Sequence, residues 1–262
     1  LSAVGTDGAV KNLQAEATGK SFDTIRQETN GKWENALSVI DAEGSNDQLS
    51  MLYTSLYHTM INPSVYMDVD GKYRGIDHNI HQAEGFTNYT VFSVWDTYRA
   101  LHPLFNIIKR DVKSMLAHYS QSVHHLLPVW SHMGNENWCM IGYHSVSVLA
   151  DAITKGLPID KQEAVKAMVS SSNVPYYDHT DEYKQLGYVP FDQSPTSASI
   201  TLENAYEDWT VYHTALLLGD KQIADTYKKR ALYYRNVFKP GLGFACPRYK
   251  DGSWKEEIDL LS

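Results

Sequence analysis

Val91-Phe92-Ser93-Val94-Trp95-Asp96-Thr97-Tyr98-Arg99-Ala100-Leu101-His102-Pro103 is the stretch on which the reading of the fold turns. From Val94 onward, Tyr98, Leu101, Phe105 and Ile108 recur at alternating steps of four and three, the spacing of an apolar stripe on one helix face. Trp95, Asp96 and Arg99 fall off that stripe near its beginning, and Trp95 and Arg99 lie one helical turn apart. A ring beside a carboxylate and a guanidinium suits a sugar-binding wall: the ring stacks on C–H faces while the charged groups hold adjacent hydroxyls. The same triplet also fits a tryptophan at the edge of a core beside a local Asp/Arg pair. The triplet alone does not choose between them.

Outward from this stretch, helical periodicity dominates. Asp7 to Ala17 reads as a connecting helix closed by Gly19. Ser21 caps a longer one with Phe22, Ile25, Trp33, Leu37 and Ile40 on its stripe, weakened by Gly31. Asn46-Asp47 opens a third, which Asn62-Pro63 ends. Asp68-Val69-Asp70-Gly71-Lys72-Tyr73-Arg74-Gly75 predicts a small hairpin turning at Asp70-Gly71, followed by a long loop of the kind that binds ligands. Further on, helices are expected over Asp111 to Leu127 and over Trp138 to Lys155, the latter stopped by Gly156. Asp160-Lys161-Gln162-Glu163 opens a short helix, and residues 173 to 198 read as irregular, with Tyr176, Tyr177, Tyr183 and Tyr188 spread through them. Ser199 to Leu218 is helical on Leu202, Tyr206, Trp209, His213 and Leu216. Gly219-Asp220 turns into another helix on Ile223, Tyr227, Tyr234 and Phe238, and a Gly/Pro-rich hairpin succeeds it. The expected class is all-α, with helical hairpins around an axis and small β-hairpins in the loops. No fixed-period repeat supports a solenoid, and the helices fall short of a closed ring of six hairpins.

The 262 residues are ample for a real core. The net charge is −8 and the basic residues do not cluster, which disfavours nucleic acid and anionic membranes as partners. No segment is apolar enough to span a bilayer, and two cysteines, Cys139 and Cys246, exclude a disulfide framework. Leu1-Ser2-Ala3-Val4-Gly5 reads as the tail of a strand whose partners lie upstream, and Ile258-Asp259-Leu260-Leu261-Ser262 stops without a cap. A fragment of a longer protein is the expectation.

The chemistry-bearing residues narrow the classes. There is no His-Glu-x-x-His, and the cysteines lack partners at ligand spacing; His124, His125 and His132 are a weak zinc set. Asp68 and Asp70 could offer oxygens to calcium, but their spacing is not that of an EF-hand and a turn is expected. Gly-x-Ser-x-Gly is absent, and Cys139 reads as a buried thiol. Glu136 sits where a loop is expected to enter a helix, whose dipole would favour its charged form. Glu203 and Asp208 read as a solvated helix face. Two-carboxylate glycosidic cleavage needs an acid and a base on opposite sides of the bond, and no spacing here proves such a pair.

Five stretches occur together and in order: Leu52-Tyr53-Thr54-Ser55-Leu56-Tyr57-His58-Thr59-Met60, the Asp68 to Gly75 segment, Thr90 to Pro103, Met140-Ile141-Gly142-Tyr143-His144-Ser145-Val146 and Thr201-Leu202-Glu203-Asn204-Ala205-Tyr206-Glu207-Asp208-Trp209. Together they closely resemble glycoside hydrolase family 92, the calcium-dependent α-mannosidases. The resemblance implies an N-terminal β-sandwich, a helical linker and an α/α toroid. Residues 1–20 would then be the end of a sandwich strand and the linker helix, and residues 21–262 part of the toroid. It also implies an inverting, exo-acting hydrolase of terminal α-linked mannose, commonly α-1,2, acting on mannose-containing glycans in the periplasm or outside the cell. The family's acid and base motifs do not occur in this sequence, so the resemblance puts them beyond Ser262, puts the main calcium ligands outside this chain, and leaves an isolated piece with little activity. Asp96 resembles the family's sugar-hydroxyl ligand, with Trp95, Arg99, Glu136 and His144 as its neighbours. A non-catalytic glycan-binding or scaffold toroid, or another toroid enzyme such as a trehalase-like hydrolase or a lyase, stands as the alternative.

Overall fold

The computed structural model describes residues 1–108, 112–175 and 177–256. Eleven α-helices and seven short strands form among them. The first three helices are α1 (Thr6–Glu16), α2 (Phe22–Leu37) and α3 (Asn46–Thr59). Ser21 caps α2 by accepting the Thr24 amide, and Ser45 and Gln48 close a reciprocal capping box on α3.

Leu1–Gly5 pairs with no strand among the described residues. Ser2 Oγ instead donates to Asp68 Oδ2 at 2.7 Å, Asn12 Nδ2 donates to Asp68 Oδ1 at 2.8 Å, and Lys11 pairs with Asp70 at 2.9 Å. The two aspartates thus fasten the N-terminal segment and α1 to the turn around Gly71.

Strands β1 (Ser64–Val65) and β4 (Tyr89–Thr90) pair, as do β2 (Lys72–Arg74) and β3 (Ile80–Gln82). The hairpin therefore turns over residues 75–79, and Asp70-Gly71 makes a separate turn just before it. A third sheet has the order β5 (Phe92–Ser93), β6 (Trp130–His132) and β7 (Asn135–Glu136), with Phe92 opposite Ser131 and Ser131 opposite Glu136.

The expected single helix from Val94 is two: α4 (Val94–Thr97) and α5 (Leu101–Ile107). Pro103 accounts for the break. It has no N–H for the carbonyl of Arg99 and its ring would clash there, so it is tolerated only in the first turn of a new helix. Helix α6 (Lys113–Gln121) is shorter than predicted, and Asp111 lies outside the described residues. Helix α7 begins at Ser145 and ends at Thr154. The left-handed conformations of Trp138 (φ 54°) and Gly142 (φ 78°) bar a helix from starting earlier. Asp160 caps α8 (Lys161–Ser171). The stretch read as irregular contains α9 (Thr180–Leu186), closed by a left-handed Gly187; Tyr176 lies outside the described residues. Helices α10 (Ser197–Leu218) and α11 (Lys221–Arg230) come next, and Tyr233–Val237 forms a 3₁₀ turn instead of prolonging α11.

The core lies where α7 meets α8 and α10, with Val146, Leu149, Ala152, Ala164, Met168 and Val211 excluded from solvent. Side chains such as Leu149 and Met168 contribute about 1.5–3 kcal/mol each by burial. The predicted stripe of α10 is its outer one: Tyr206, Trp209, His213 and Leu216 are exposed, whereas Thr201, Ala205, Val211 and Ala215 are buried. Small residues on that face admit α7 and α11 closely. Among the described residues no helix is long and apolar enough to cross a membrane.

Candidate functional site

The first turn of α4 places Trp95 half-buried and Asp96 exposed. Asp96 and Arg99 do not form the local pair considered from the sequence; Arg99 Nη2 lies 3.5 Å from Glu203 Oε1 on α10. The guanidinium covers both aromatic neighbours, 5.1 Å from the Trp95 ring centre and 4.7 Å from that of Tyr98. Trp95 Nε1 is buried without a hydrogen bond among the described residues.

Tyr98 stacks on His144, with ring centres 4.3 Å apart and planes 1° from parallel. His144 is the residue before α7 and is buried. Its Nδ1 bonds Glu207, which also accepts from Ser147 Oγ at 3.1 Å. Its Nε2 lies 3.6 Å from Glu203 Oε2 and makes no hydrogen bond among the described residues. A Cβ on Gly142 would stand 2.6 Å from that nitrogen, so the loop before α7 approaches the ring as closely as it does because residue 142 has no side chain. Burial pushes the Glu207 carboxyl above its ordinary range, with His144 and Ser147 opposing. Burial, then the Glu203 charge, raises the Tyr98 hydroxyl to about 12.

Trp95, Arg99 and His144 are thus tied through Tyr98 and Glu203, beside an exposed Asp96. Glu136 belongs to another arrangement. It lies on β7, not at a helix entrance. Its Oε1 accepts from the amides of Trp130 (2.8 Å), Asn137 (3.1 Å) and Trp138 (3.3 Å), and its Oε2 from Val129 (3.1 Å). Backbone N–H groups supply here what the helix dipole was expected to supply. Burial nonetheless outweighs them and raises the Glu136 carboxyl.

Three further sequence expectations are corrected. Asp208 is fully buried, accepting from Tyr143 and Tyr183 hydroxyls at 2.8 Å each and from Arg230 Nε at 2.9 Å. Glu203 is turned toward Arg99 and His144, its side chain 19% exposed, so neither acid lies on a solvated face. Cys139 is exposed; Cys246 is the buried thiol. Sequence reasoning missed Glu207 and the bridging part of Glu203. The available signal was their spacing: like charges one helical turn apart destabilise a helix unless each has its own partner.

Among the described residues no three His, Cys, Asp or Glu side chains gather as a metal site. Asp68 and Asp70 hold the N-terminal segment, and the rings of His124, His125 and His132 pack on Trp138, Tyr119 and Trp130.

A mainly helical chain that sets an aromatic ring, a carboxylate and a guanidinium close together around one short helix has the make-up of a carbohydrate-active α/α toroid. The chain belongs to glycosyl hydrolase family 92, the catalytic-domain profile of which matches residues 8–262. It is similar to a family 92 α-mannosidase from Bacteroides thetaiotaomicron in complex with mannoimidazole, with a TM-score of 0.93 and 43% identity over 98% of this chain and 35% of that one. A second structure of that enzyme gives a TM-score of 0.94 at 43% identity, covering 100% of this chain and 36% of that one. An inverting mannosidase of the family from the same organism gives 0.88 at 32% identity, over 98% and 37% of the two chains. The chain spans little more than a third of these relatives' length. No curated protein sequence matches it.

Proposed function

We propose that the chain is part of an inverting, exo-acting α-mannosidase that removes terminal α-linked mannose, commonly α-1,2-linked, from glycans. Residues 1–20 serve as the end of a sandwich strand and the linker helix, and residues 21–262 as part of the catalytic toroid. The observation that carries this reading is the superposition of 98% of the chain on a family 92 α-mannosidase whose structure holds mannoimidazole. The wall at α4 supplies suitable chemistry. Trp95 offers a ring for C–H faces, the exposed Asp96 carboxylate accepts sugar hydroxyls, and Arg99 donates to them from a position fixed by Glu203 and two rings. His144 holds Tyr98 in place under Arg99. We assign Glu136 a supporting part, ordering the loop that carries Trp138.

Inversion requires an acid for the leaving oxygen and a base for water, and we place both outside residues 1–262. We place calcium with the same outlying groups; among the described residues no three His, Cys, Asp or Glu side chains gather to hold it.

Calorimetry of the chain with methyl α-mannoside tests the wall. The expected result is millimolar-range binding, on the order of −4 kcal/mol, that Asp96→Ala weakens; absence of binding, or binding that Asp96→Ala leaves undiminished, overturns the assignment. An aryl α-mannoside with calcium tests the rest. Little turnover is expected, and turnover comparable with a complete family enzyme would refute the placement of acid and base.

A further inference from the structure

A cavity of about 230 Å³ lies between the β2–β3 loop, the end of α6 and the connection from β7 to α7, with Ile76, His78, His118, Leu126, Glu136 and Trp138 among its lining. Its volume is below the roughly 300–1,000 Å³ of pockets for drug-sized ligands, so it suits a single ring.

Its floor carries two polar groups that do not touch. Glu136 Oε2 accepts one amide and faces His118 Nε2 at 3.8 Å. That separation is too long for a direct hydrogen bond and leaves both atoms within reach of one oxygen set between them. His118 is held neutral by burial, which takes it to about 3, so its ring has one N–H and one lone pair to offer. A hydroxyl that accepts from one partner and donates to the other satisfies both.

Trp138 is 38% exposed, with Tyr177 5.2 Å and His124 6.1 Å away, centre to centre. Its φ of 54° is a conformation that bulky residues seldom adopt. Its amide donates to Glu136 Oε1, so the carboxylate on the floor also fixes the wall. An aromatic face above a donor–acceptor pair is the recognition chemistry of a neutral, polyhydroxylated ring. An anion would be repelled by Glu136, and no second carboxylate lines the cavity to favour a cation.

We infer that this cavity is a subsite for one further neutral hexopyranose unit of the glycan, stacked on Trp138 with a hydroxyl bridging Glu136 and His118. The inference rests on the carbohydrate reading above but uses none of the residues of the α4 wall.

Amide and indole chemical shifts of the ¹⁵N-labelled chain, titrated with methyl α-mannoside and with an α-linked mannobiose, test it. Saturable shifts are expected at the Trp138 indole and at the amides of Asn135, Glu136 and Asn137. Trp138→Ala should weaken that binding about tenfold or more, Trp138→Phe should restore part of it, and Asp96→Ala should leave it in place. The dispersion of each variant's spectrum reports its fold. Shifts confined to Trp95–Arg99 overturn the subsite and leave the proposed function standing, whereas shifts at neither place overturn both. Shifts around Trp138 that persist undiminished in Trp138→Ala also overturn the subsite. Shifts around Trp138 alone support it and remove the wall.

Discussion

Helices α2 and α10 both read as amphipathic, yet they live in different surroundings. None of the 16 residues of α2 is buried, whereas 11 of the 22 residues of α10 are. Helix α2 packs on α3, joined by an edge-on contact of Trp33 with Tyr57 at 4.5 Å. Helix α10 is enclosed by α7, α8 and α11, and its inner face carries two carboxylates, Glu207 and Asp208, among Ala, Thr and Val. The enclosed helix is specified by polar partners as much as by apolar area. Charges are tolerated there because each has a designated counterpart.

The sharpest way to break the contrast is to remove one counterpart. Asp208→Ala leaves Arg230 buried without its carboxylate and is expected to cost about 3–5 kcal/mol in urea unfolding. A loss under about 1 kcal/mol would show that the inner face of α10 is no more exacting than the surface. Next in size is Glu136→Ala, which strips four amides of their acceptor. A cost of about 2–3 kcal/mol is expected, along with release of Trp138 from its left-handed backbone, visible as loss of its amide's protection from exchange.

A third measurement uses pH. Burial lowers His118 to about 3, so between that value and the ordinary 6.5 the unfolded chain binds a proton that the folded chain refuses. Stability therefore falls as pH drops below about 6.5, by about 2 kcal/mol on reaching pH 5. Glu136, its carboxyl raised, acts in the opposite sense. The difference between the chain and His118→Gln isolates the histidine: the variant should show a flatter melting-temperature profile, and parallel profiles would refute the account. Last and smallest, Trp33→Ala on the open side should cost about 1 kcal/mol by the same unfolding measurement, the worth of one aromatic pair. A loss matching that of Asp208→Ala would erase the contrast.

Much of the helical order was legible because caps and glycines act locally. Ser21, Asp160, Gly187 and Gly219 begin or end helices through their own backbone or hydroxyl chemistry, although the helix that Gly187 closes went unread. What was illegible depended on distant partners. The stripe Tyr206-Trp209-His213-Leu216 has perfect spacing for a core face. Its exposure comes only from the small residues opposite, which let two other helices close in. Pro103 was in view, but its veto on Arg99 was outweighed by the apolar period that spans it. For the candidate site, Trp95 and Arg99 are one turn apart in the sequence itself, whereas Glu207 could not be placed under His144 without knowing that α7 and α10 touch. The local structure at Glu136 is not legible in the sequence, because a two-residue strand leaves no periodic trace.

The bare backbone at residue 142 has a wider reach than its size suggests. The imidazole occupies room that a single methyl group would claim, since a Cβ there would stand 2.6 Å from its nitrogen. Swing that ring aside and Tyr98 loses its floor, Arg99 its rest, and the mouth of the wall its shape. An atom the chain leaves out therefore governs the geometry of groups it never touches.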